Sequence, residues 1–385
     1  MNNKFVYTPG PTNVRDNVRL ERSKVTTNPD IDTDFVEFYK GTCDKVSKIL
    51  NTKNETYILC GEGILGLEAA CATLTEPGDR VLVINNGIFG KGFMDFVKIY
   101  GGDGVYYSSD YRKEIDTDKL NEFLQRDHDF KYATLVHCDT PTGVKNDISK
   151  ICRLLNEYGI LSVVDSVAGM GGEEVKGDDW KIDVLLGGSQ KAFSAPPGLT
   201  TVTLSNRAKE VMESRKTSVV GFYCNLNIWK NYYIEKWFPY TMPISDIMAL
   251  DLALDNILDE GIENVILRHS KVADATRKAL QGFGLELFLE NGFCNTVTAF
   301  KVPEYIGAVK LKNYINDKYN AIISTSLKPY DNEIIRIGHM GENARLEEIS
   351  YALNLIGKAL KDLGYVSEKN LLDLFNGYYW SIYSF

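Results

Sequence analysis

Short apolar segments alternate with helical segments across residues 55–204, and this alternation constrains the fold more than any other feature. Seven apolar segments predict β-strands, at residues 56–60, 80–85, 104–108, 133–138, 160–165, 183–187 and 199–204. Helical spacing of apolar residues fills most gaps, at residues 64–74, 89–100, 116–125 and 148–158. Such alternation is typical of a mostly parallel sheet covered by helices on both faces. The sequence therefore predicts an α/β fold with a seven-stranded sheet.

The rest of the chain predicts three further parts. Residues 1–20 carry a Pro/Gly turn and predict an extended N-terminal arm, which leaves a large domain at 21–255. Within that domain, residues 205–245 are rich in aromatics and predict loops packed on another surface, such as a subunit partner. Residues 256–385 predict a smaller C-terminal α+β domain, whose last stretch, 371–385, is expected to be docked.

Composition excludes several classes of function. A net charge of −9 argues against nucleic-acid binding, and no run of about 18 apolar residues predicts a membrane span. The seven cysteines form no CxxC pair and the four histidines show no ligand spacing, so no metal site is expected. Without a secretory signal, scattered cysteines fit a reducing cytoplasm. His339 is expected either to pack internally or to lie near the substrate.

Two side chains with complementary chemistry follow two successive predicted strands. Asp165 ends the strand at 160–165, and Lys191 lies on a turn after the strand at 183–187. Ligands of such sheets bind at the carboxyl ends of strands, where these side chains can converge. A buried lysine can form a Schiff base with an aldehyde, and a carboxylate can pair with a pyridinium nitrogen. The alternative interpretation involves no cofactor: Asp165 is then an ordinary carboxylate at a strand end, and Lys191 is a surface lysine.

A glycine-rich loop follows the first strand and opens a helix. Residues 61–66 match G-x-G-x-x-G, where backbone N–H groups at a helix N-terminus can bind phosphate. A dinucleotide site also needs an acid after the second strand, but that strand ends in Asn85. Two interpretations of the loop remain open: a binding site for a single phosphate, and a structural tight turn. Glu62 conflicts with any phosphate unless its carboxylate points away.

Together these segments resemble the class V aminotransferases of pyridoxal-phosphate fold type I, especially the alanine–glyoxylate and serine–pyruvate branch. The matching segments occur in order along most of the chain, at residues 8–13 (TPGPTN), 61–63 (GEG), 67–70 (LEAA), 76–79 (EPGD), 86–90 (NGIFG), 164–167 (VDSV), 188–191 (GSQK), 195–198 (APPG) and 336–338 (RIG). The resemblance implies a pyridoxal 5′-phosphate enzyme and a homodimer with shared active sites.

The resemblance also implies roles around the cofactor ring. Lys191 would bind the cofactor aldehyde and then shuttle a proton, and Asp165 would pair with the ring nitrogen. Val167 would pack on one face of the ring and Phe89 on the other, with Thr140 near the ring hydroxyl.

For the phosphate and the substrate, the resemblance implies a second set of residues. Backbone N–H groups of Gly63 and Ile64, and the side chains of Gln190 and Thr241, would contact phosphate, Thr241 that of the partner subunit. Arg336 would hold the substrate carboxylate.

Three positions depart from the family pattern and bear on the phosphate. Glu62, which the resemblance places in the cofactor site, stands where relatives often carry a small hydroxyl residue, and Ile64 where they carry histidine. Phe238 stands where a tyrosine reaches the partner's phosphate. Gly10, in the first matching segment, is assigned to the substrate site.

The resemblance implies a ping-pong aminotransferase that moves an amino group from alanine, serine or glycine to glyoxylate or pyruvate. Four alternatives stay open: a 2-aminoethylphosphonate–pyruvate transaminase, a cysteine desulfurase, a dinucleotide-dependent oxidoreductase and a non-catalytic, cofactor-free protein. Gln190 replaces the histidine that precedes the lysine in desulfurases.

Overall fold

The strands and helices come from a computed structural model, which describes residues 4–381. The strands are β1 (Phe5–Val6), β2 (Glu55–Cys60), β3 (Arg80–Asn85), β4 (Asp103–Ser108), β5 (Tyr132–Val136), β6 (Cys138–Asp139), β7 (Val144–Lys145), β8 (Leu161–Asp165), β9 (Val184–Gly188), β10 (Leu199–Leu204), β11 (Val297–Lys301), β12 (Ala321–Ile322), β13 (Ser324–Thr325) and β14 (Ile334–Gly338).

The helices cover the sheet and build the C-terminal part. They are α1 (Asp16–Glu21), α2 (Thr33–Ile49), α3 (Gly63–Leu74), α4 (Ile88–Ile99), α5 (Thr117–Arg126), α6 (Ile148–Glu157), α7 (Asn206–Glu213), α8 (Tyr232–Glu235), α9 (Ile244–Glu260), α10 (Ile262–Phe283), α11 (Ala308–Tyr319), α12 (Leu346–Asp362) and α13 (Leu371–Ser381), with short 3₁₀ helices at Leu226–Trp229 and Gly341–Asn343. No helix in the described part of the chain combines the length and apolar character that crossing a bilayer requires.

The central sheet has seven strands in the order β2-β10-β9-β8-β5-β3-β4. Strand β10 runs antiparallel to both of its neighbours, and the other six are mutually parallel. The predicted mostly parallel sheet is therefore confirmed. Strands β5, β8, β9 and β10 are buried along their whole length, as strands of a sheet covered on both faces should be, and β10 buries three threonines among its apolar residues.

This topology gathers the predicted chemistry at one edge of the sheet. Asp165 ends β8, and Lys191 follows the end of the adjacent strand β9 after two residues. Because β10 is antiparallel, it begins at the same edge, and the turn at 189–198 can be short. The hydroxyl of Ser189 donates to the Pro196 carbonyl (2.6 Å), which fixes this turn.

Two large hydrophobic cores form the molecule. The first extends from Val18 to Val265 around the seven-stranded sheet, and the second combines residues between Val272 and Tyr379 with Tyr7. The second core packs against the three-stranded sheet β11-β14-β13. The predicted boundary between residues 255 and 256 stays a prediction; helix α9 continues through it to Glu260.

The prediction of an extended arm outside the cores is wrong for the described residues before 21. Strand β1 pairs in parallel with β12, and Tyr7 is 1% exposed within the second core. Helix α1 begins at Asp16. This N-terminal segment therefore connects the second core to the site, because Tyr7 is buried in that core and Thr12 donates to the Lys191 carbonyl.

The aromatic segment at 205–245 packs largely on its own chain. Trp229, Tyr232 and Phe238 are buried against Tyr39 of α2. Other aromatic and aliphatic side chains of the segment remain exposed, namely Val220, Phe222, Tyr223, Ile234 and Trp237. The C-terminal helix α13 docks on α10 and α12, and residues 382–385 of the predicted docked stretch lie outside the described residues.

Candidate active site

A cavity opens at the carboxyl edge of the sheet. Its wall contains nine of the twelve residues that the sequence assigned to the site, together with three small or apolar neighbours: Glu62, Gly63, Ile64, Leu67, Phe89, Cys138, Thr140, Asp165, Val167, Ala168, Gln190 and Lys191. Gly10, Thr241 and Arg336 are not part of this wall. The convergence expected from the strand order is therefore present.

Lys191 lies against the N-terminal turn. Its Nζ donates to the Pro9 carbonyl (2.5 Å), and its own carbonyl accepts from the Thr12 hydroxyl (3.0 Å). Gly10 has φ +87°, and a Cβ there would overlap the Lys191 side chain. Because Gly10 has no side chain, the turn at 8–13 can pack directly against the Lys191 side chain.

Burial, and then the nearby charge of Arg336, lower the pKa of Lys191 to about 8. The ordinary lysine value is 10.5, so at pH 7 about a tenth of the amine is unprotonated instead of a trace. Lys191 is therefore prepared to attack an aldehyde.

This shift predicts how aldehyde capture depends on pH. Only the unprotonated amine attacks, so the rate should fall about tenfold per pH unit below pH 8 and level off above it. Stopped-flow absorbance of pyridoxal binding measures this rate. A rate that continues to rise up to pH 10 would show that the amine has an ordinary pKa.

Asp165 is 6% exposed at the end of β8. Its Oδ1 accepts from the backbone N–H of Val167 (2.9 Å), which orients the carboxyl group. Burial raises the pKa of Asp165 to about 7, with the charge of Asp139 raising it further and the Val167 N–H opposing both. A cationic partner such as a ring N–H⁺ would favour the ionised carboxylate.

Asp139 is a positioning residue that the sequence did not reveal. It is fully buried, accepts from the Phe89 backbone N–H (3.0 Å) and from the Thr142 hydroxyl (2.9 Å), and so caps α4. Gly87 offers no side chain for this cap, and a Cβ there would overlap Asp139. Burial raises the pKa of Asp139. The absence of a capping side chain before α4 was the one available signal.

The other end of the cavity meets the N-terminus of α3. There Glu62 caps the helix, and its Oε1 accepts from the Ile64 backbone N–H (3.0 Å). Gln190 Nε2 donates to Glu62 Oε2 (3.2 Å). In this structure the chain's own carboxylate binds the Ile64 N–H, and the expectation that this N–H contacts a phosphate stays a prediction.

Arg336 lies beside the cavity on β14. Its Nε donates to the Thr325 carbonyl (2.8 Å) and its Nη1 to the Thr140 carbonyl (3.0 Å). Burial lowers the pKa of Arg336 to about 10, so the guanidinium remains cationic at neutral pH. Its charge is close enough to Lys191 to lower the pKa of the lysine. A residue that binds the carboxylate of a substrate held at Lys191 must lie near the lysine in this way.

Three further predicted positions lie outside the cavity. Thr241 is exposed and its hydroxyl donates to Asp30 (2.9 Å), so its contact with a partner's phosphate stays a prediction. His339 is buried between Thr298 and the Asn295 carbonyl, which confirms the packed alternative. Phe238 is buried in the first core.

The cavity fits the ring end of pyridoxal better than its phosphate end. Val167 contacts Gly63 so closely that a Cβ on the glycine would lie 2.9 Å from Val167 Cγ2, so only glycine fits at this point of the wall. Phe89, Lys191 and Asp165 supply a stacking ring, an amine and an acid. At the phosphate end Glu62 supplies negative charge. No cluster of metal-binding side chains occurs among residues 4–381.

Sequence comparisons match this chain to proteins of known family. The model of the family described as aminotransferase class-V matches residues 10–326. An uncharacterized aminotransferase of Methanocaldococcus jannaschii is 36% identical, with 94% of each chain covered. Pyridoxamine–pyruvate transaminase of Mesorhizobium japonicum is 32% identical, with 94% of this chain and 92% of the relative covered.

A solved structure shares the whole architecture. Ureidoglycine–glyoxylate aminotransferase from Bacillus subtilis superimposes with a TM-score of 0.95 at 26% sequence identity, and 98% of each chain is covered. The agreement therefore extends over both cores.

Proposed function

The chain belongs to the class-V aminotransferases, and from that membership we propose that it transfers the amino group of alanine, serine or glycine to pyruvate or glyoxylate. Aminotransferases of this family and fold depend on pyridoxal phosphate. The observation that carries the proposal is the buried Lys191, with its lowered pKa, in one cavity with Asp165. The names of the compared relatives support pyruvate and glyoxylate as acceptors.

The cofactor supplies an aldehyde that accepts the amino group and a ring that withdraws electrons from the reacting carbon. Lys191 would hold the cofactor through its aldehyde and would move a proton at the substrate α-carbon. Asp165 would pair with the ring nitrogen and keep it protonated. Val167 and Phe89 would contact the two faces of the ring, and Asp139 fixes the backbone of Phe89 by accepting its N–H.

The proposal is tested by mixing the protein and pyridoxal phosphate with each amino acid and either acceptor. Formation of the matching new amino acid and 2-oxo acid, measured by chromatography, would support it. Absence of amino transfer for every pair, including pairs with pyridoxamine as donor, would overturn it.

Arg336 is the group expected to bind the substrate carboxylate. Arg336→Ala should raise KM for pyruvate or glyoxylate by roughly 10–10²-fold, because it removes a charge-assisted bidentate pair. Arg336→Lys should recover only part of this loss, since an ammonium lacks the guanidinium's fork. Steady-state kinetics measures both, and Arg153→Ala, at an exposed helix position, is the matched control. An unchanged KM in Arg336→Ala would place the carboxylate elsewhere.

A second candidate donor is pyridoxamine itself, which the Mesorhizobium relative's name gives as that protein's substrate. The position of Glu62 at the start of α3 favours it, because a donor without phosphate does not meet the carboxylate's repulsion. Both candidates use the same 2-oxo acid at Arg336. A phosphonate donor gains no support, because Lys191 is the single cation in the described cavity wall.

The other two proposals concern assembly and location. A homodimer in the cytoplasm is proposed, with Thr241 contacting the partner's site. Exposed Phe222, Tyr223 and Trp237, on the segment that carries Thr241, support a covered surface there. Light scattering of the purified protein tests the dimer, and a monomer would contradict it.

A further inference from the structure

The backbone of Lys191 is held by a side-chain hydroxyl as well as by its own turn. The Lys191 carbonyl accepts from the Thr12 hydroxyl (3.0 Å) and from the Ser194 backbone N–H (2.9 Å). The Thr12 backbone N–H also donates to the Gln190 carbonyl (3.1 Å). The N-terminal segment therefore holds Lys191 at two points, the side-chain amine at Pro9 and the carbonyl at Thr12.

The Ser194 hydroxyl lies between Thr12 and the short 3₁₀ helix that follows β14. Its Oγ accepts from the Glu342 backbone N–H (2.8 Å) and lies 3.3 Å from Thr12 Oγ1. A hydroxyl has one hydrogen to donate, and that of Thr12 is used on the Lys191 carbonyl. Ser194 must therefore donate to Thr12. The result is a directed chain of three hydrogen bonds, from the Glu342 N–H through both hydroxyls to the Lys191 carbonyl.

Both hydroxyls are buried, and Ser194 adopts an unfavourable backbone conformation to present its own. Thr12 is 7% exposed and Ser194 5%. Ser194 has φ +55°, in the left-handed region that residues with a side chain rarely adopt. Glycine would suit this conformation better, but it has no hydroxyl. A Cβ at Gly341 would overlap Ser194 Oγ, so glycine there lets the Glu342 N–H reach the hydroxyl. A strained residue held in this way indicates a functional constraint.

The far end of the chain of hydrogen bonds is anchored on α10. The Gly341 N–H donates to His269 Nε2 (2.8 Å), and the Gly341 carbonyl accepts from Arg268 Nη1 (2.9 Å). Because His269 Nε2 accepts, its Nδ1 carries the hydrogen and donates to the Val265 carbonyl (2.7 Å). Burial lowers the pKa of His269 to about 3, so the ring stays neutral at neutral pH and keeps this arrangement. The position of Lys191 therefore depends on α10, whose later residues belong to the second core.

We propose that Thr12 and Ser194 are positioning residues for Lys191, whose linked hydroxyls fix where the lysine amine stands relative to the reacting carbon. The inference rests on the proposed function. There Lys191 acts on the aldehyde and on a proton at the substrate α-carbon, and both steps depend on the distance and angle of Nζ. Carboxylate binding is assigned instead to Arg336 on β14. Loss of either hydroxyl should therefore lower kcat and leave KM for both substrates nearly unchanged.

Aldehyde capture tests the proposal without any amino donor. Thr12→Val removes the hydroxyl at nearly constant size and should lower the rate of pyridoxal capture by roughly tenfold at every pH. The pH midpoint should stay near 8, because burial and Arg336, which set the pKa of Lys191, are unchanged. Thr12→Ser keeps the hydroxyl and should recover most of the rate. Stopped-flow absorbance measures capture, with Lys191→Ala as the blank for surface lysines.

Two variants at residue 194 separate the hydroxyl from the strained backbone. Ser194→Ala and Ser194→Gly both remove the hydroxyl, but only glycine suits φ +55°. Both should slow capture about as much as Thr12→Val does. In the double variant of Thr12→Val and Ser194→Ala the losses should not multiply, because the Ser194 hydroxyl acts through that of Thr12. Thr117→Val at the start of α5 and Ser214→Ala after α7 are the matched controls and should leave the rate unchanged. Circular dichroism verifies that each variant is folded.

The outcomes distinguish this inference from the proposed function. An unchanged capture rate in Thr12→Val, a full rate in Ser194→Gly, or losses that multiply in the double variant would overturn the hydrogen-bond chain. A pH midpoint that moves toward 10.5 would show that the hydroxyls keep Lys191 buried and do not orient it, which also contradicts the proposal. So would a raised KM at unchanged kcat. Absence of amino transfer from every donor would overturn the proposed function, and the capture rates would still report on Thr12 and Ser194.

Discussion

Lys191→Ala is expected to reduce amino transfer by roughly 10⁴-fold or more, because it removes both the amine that holds the aldehyde and the group that moves the proton. No other side chain of the described cavity wall can replace it. Asp165 and Glu62 are acids, and the Cys138 thiol is buried with a raised pKa. Coupled assay of pyruvate formation from alanine measures the loss.

The control for this change is Lys119→Ala, which removes an exposed lysine of α5 and should leave kcat unchanged. A small primary amine added to Lys191→Ala should restore part of the rate, since it can enter the vacated space and accept the proton. Rescue of this kind would separate lost chemistry from lost structure. Turnover of Lys191→Ala within about tenfold of wild type would falsify the mechanism.

The main sheet could be predicted because its signals are local. Strand β3 begins and ends at the predicted residues 80 and 85, and β10 at 199 and 204. Buried strands are rich in apolar residues, and glycine lies at the end of β9 and directly after β2. Asp165 and Lys191 were predictable for the same reason, since the carboxyl ends of parallel strands meet at one edge.

The parts that could not be predicted depend on contacts between distant residues. Tyr7 reaches the second core because β1 pairs with β12, more than 300 residues along the chain. The antiparallel direction of β10 depends on the short turn at 189–198. No local pattern distinguishes it from a parallel strand, because β10 is buried along its whole length just as β9 is.

Contacts between residues that are distant in sequence also limit what could be predicted of the site. The sequence indicates that Glu62 conflicts with a phosphate, but only the fold brings Gln190 to its carboxylate, across 128 residues. Asp139 likewise acts through a hydrogen bond to Phe89, 50 residues earlier. Residue identity and strand order thus predict which groups meet. Which of their hydrogen-bonding atoms remain free is decided by side-chain geometry.

Asp165→Asn is expected to lower kcat by roughly 10²–10³-fold while leaving KM for the amino acid nearly unchanged. Asparagine has the size of aspartate and can still accept from the Val167 N–H, so the strand end should keep its shape. The neutral amide cannot balance a positive ring nitrogen, so the ring loses its proton and withdraws electrons less strongly from the reacting carbon. Lys191 and Arg336 are untouched, so binding of both substrates should persist.

The contrast with Lys191→Ala makes this second prediction specific. Asp165→Asn should still capture the aldehyde through Lys191, detected as an absorbance change near neutral pH, whereas Lys191→Ala should not. Asp118→Asn, an exposed aspartate in the first turn of α5, is the matched control. If Asp165→Asn instead raised KM and left kcat intact, the carboxylate would serve to bind the substrate. A loss confined to kcat would assign Asp165 to the ring nitrogen, the role that its burial and raised pKa prepare it for.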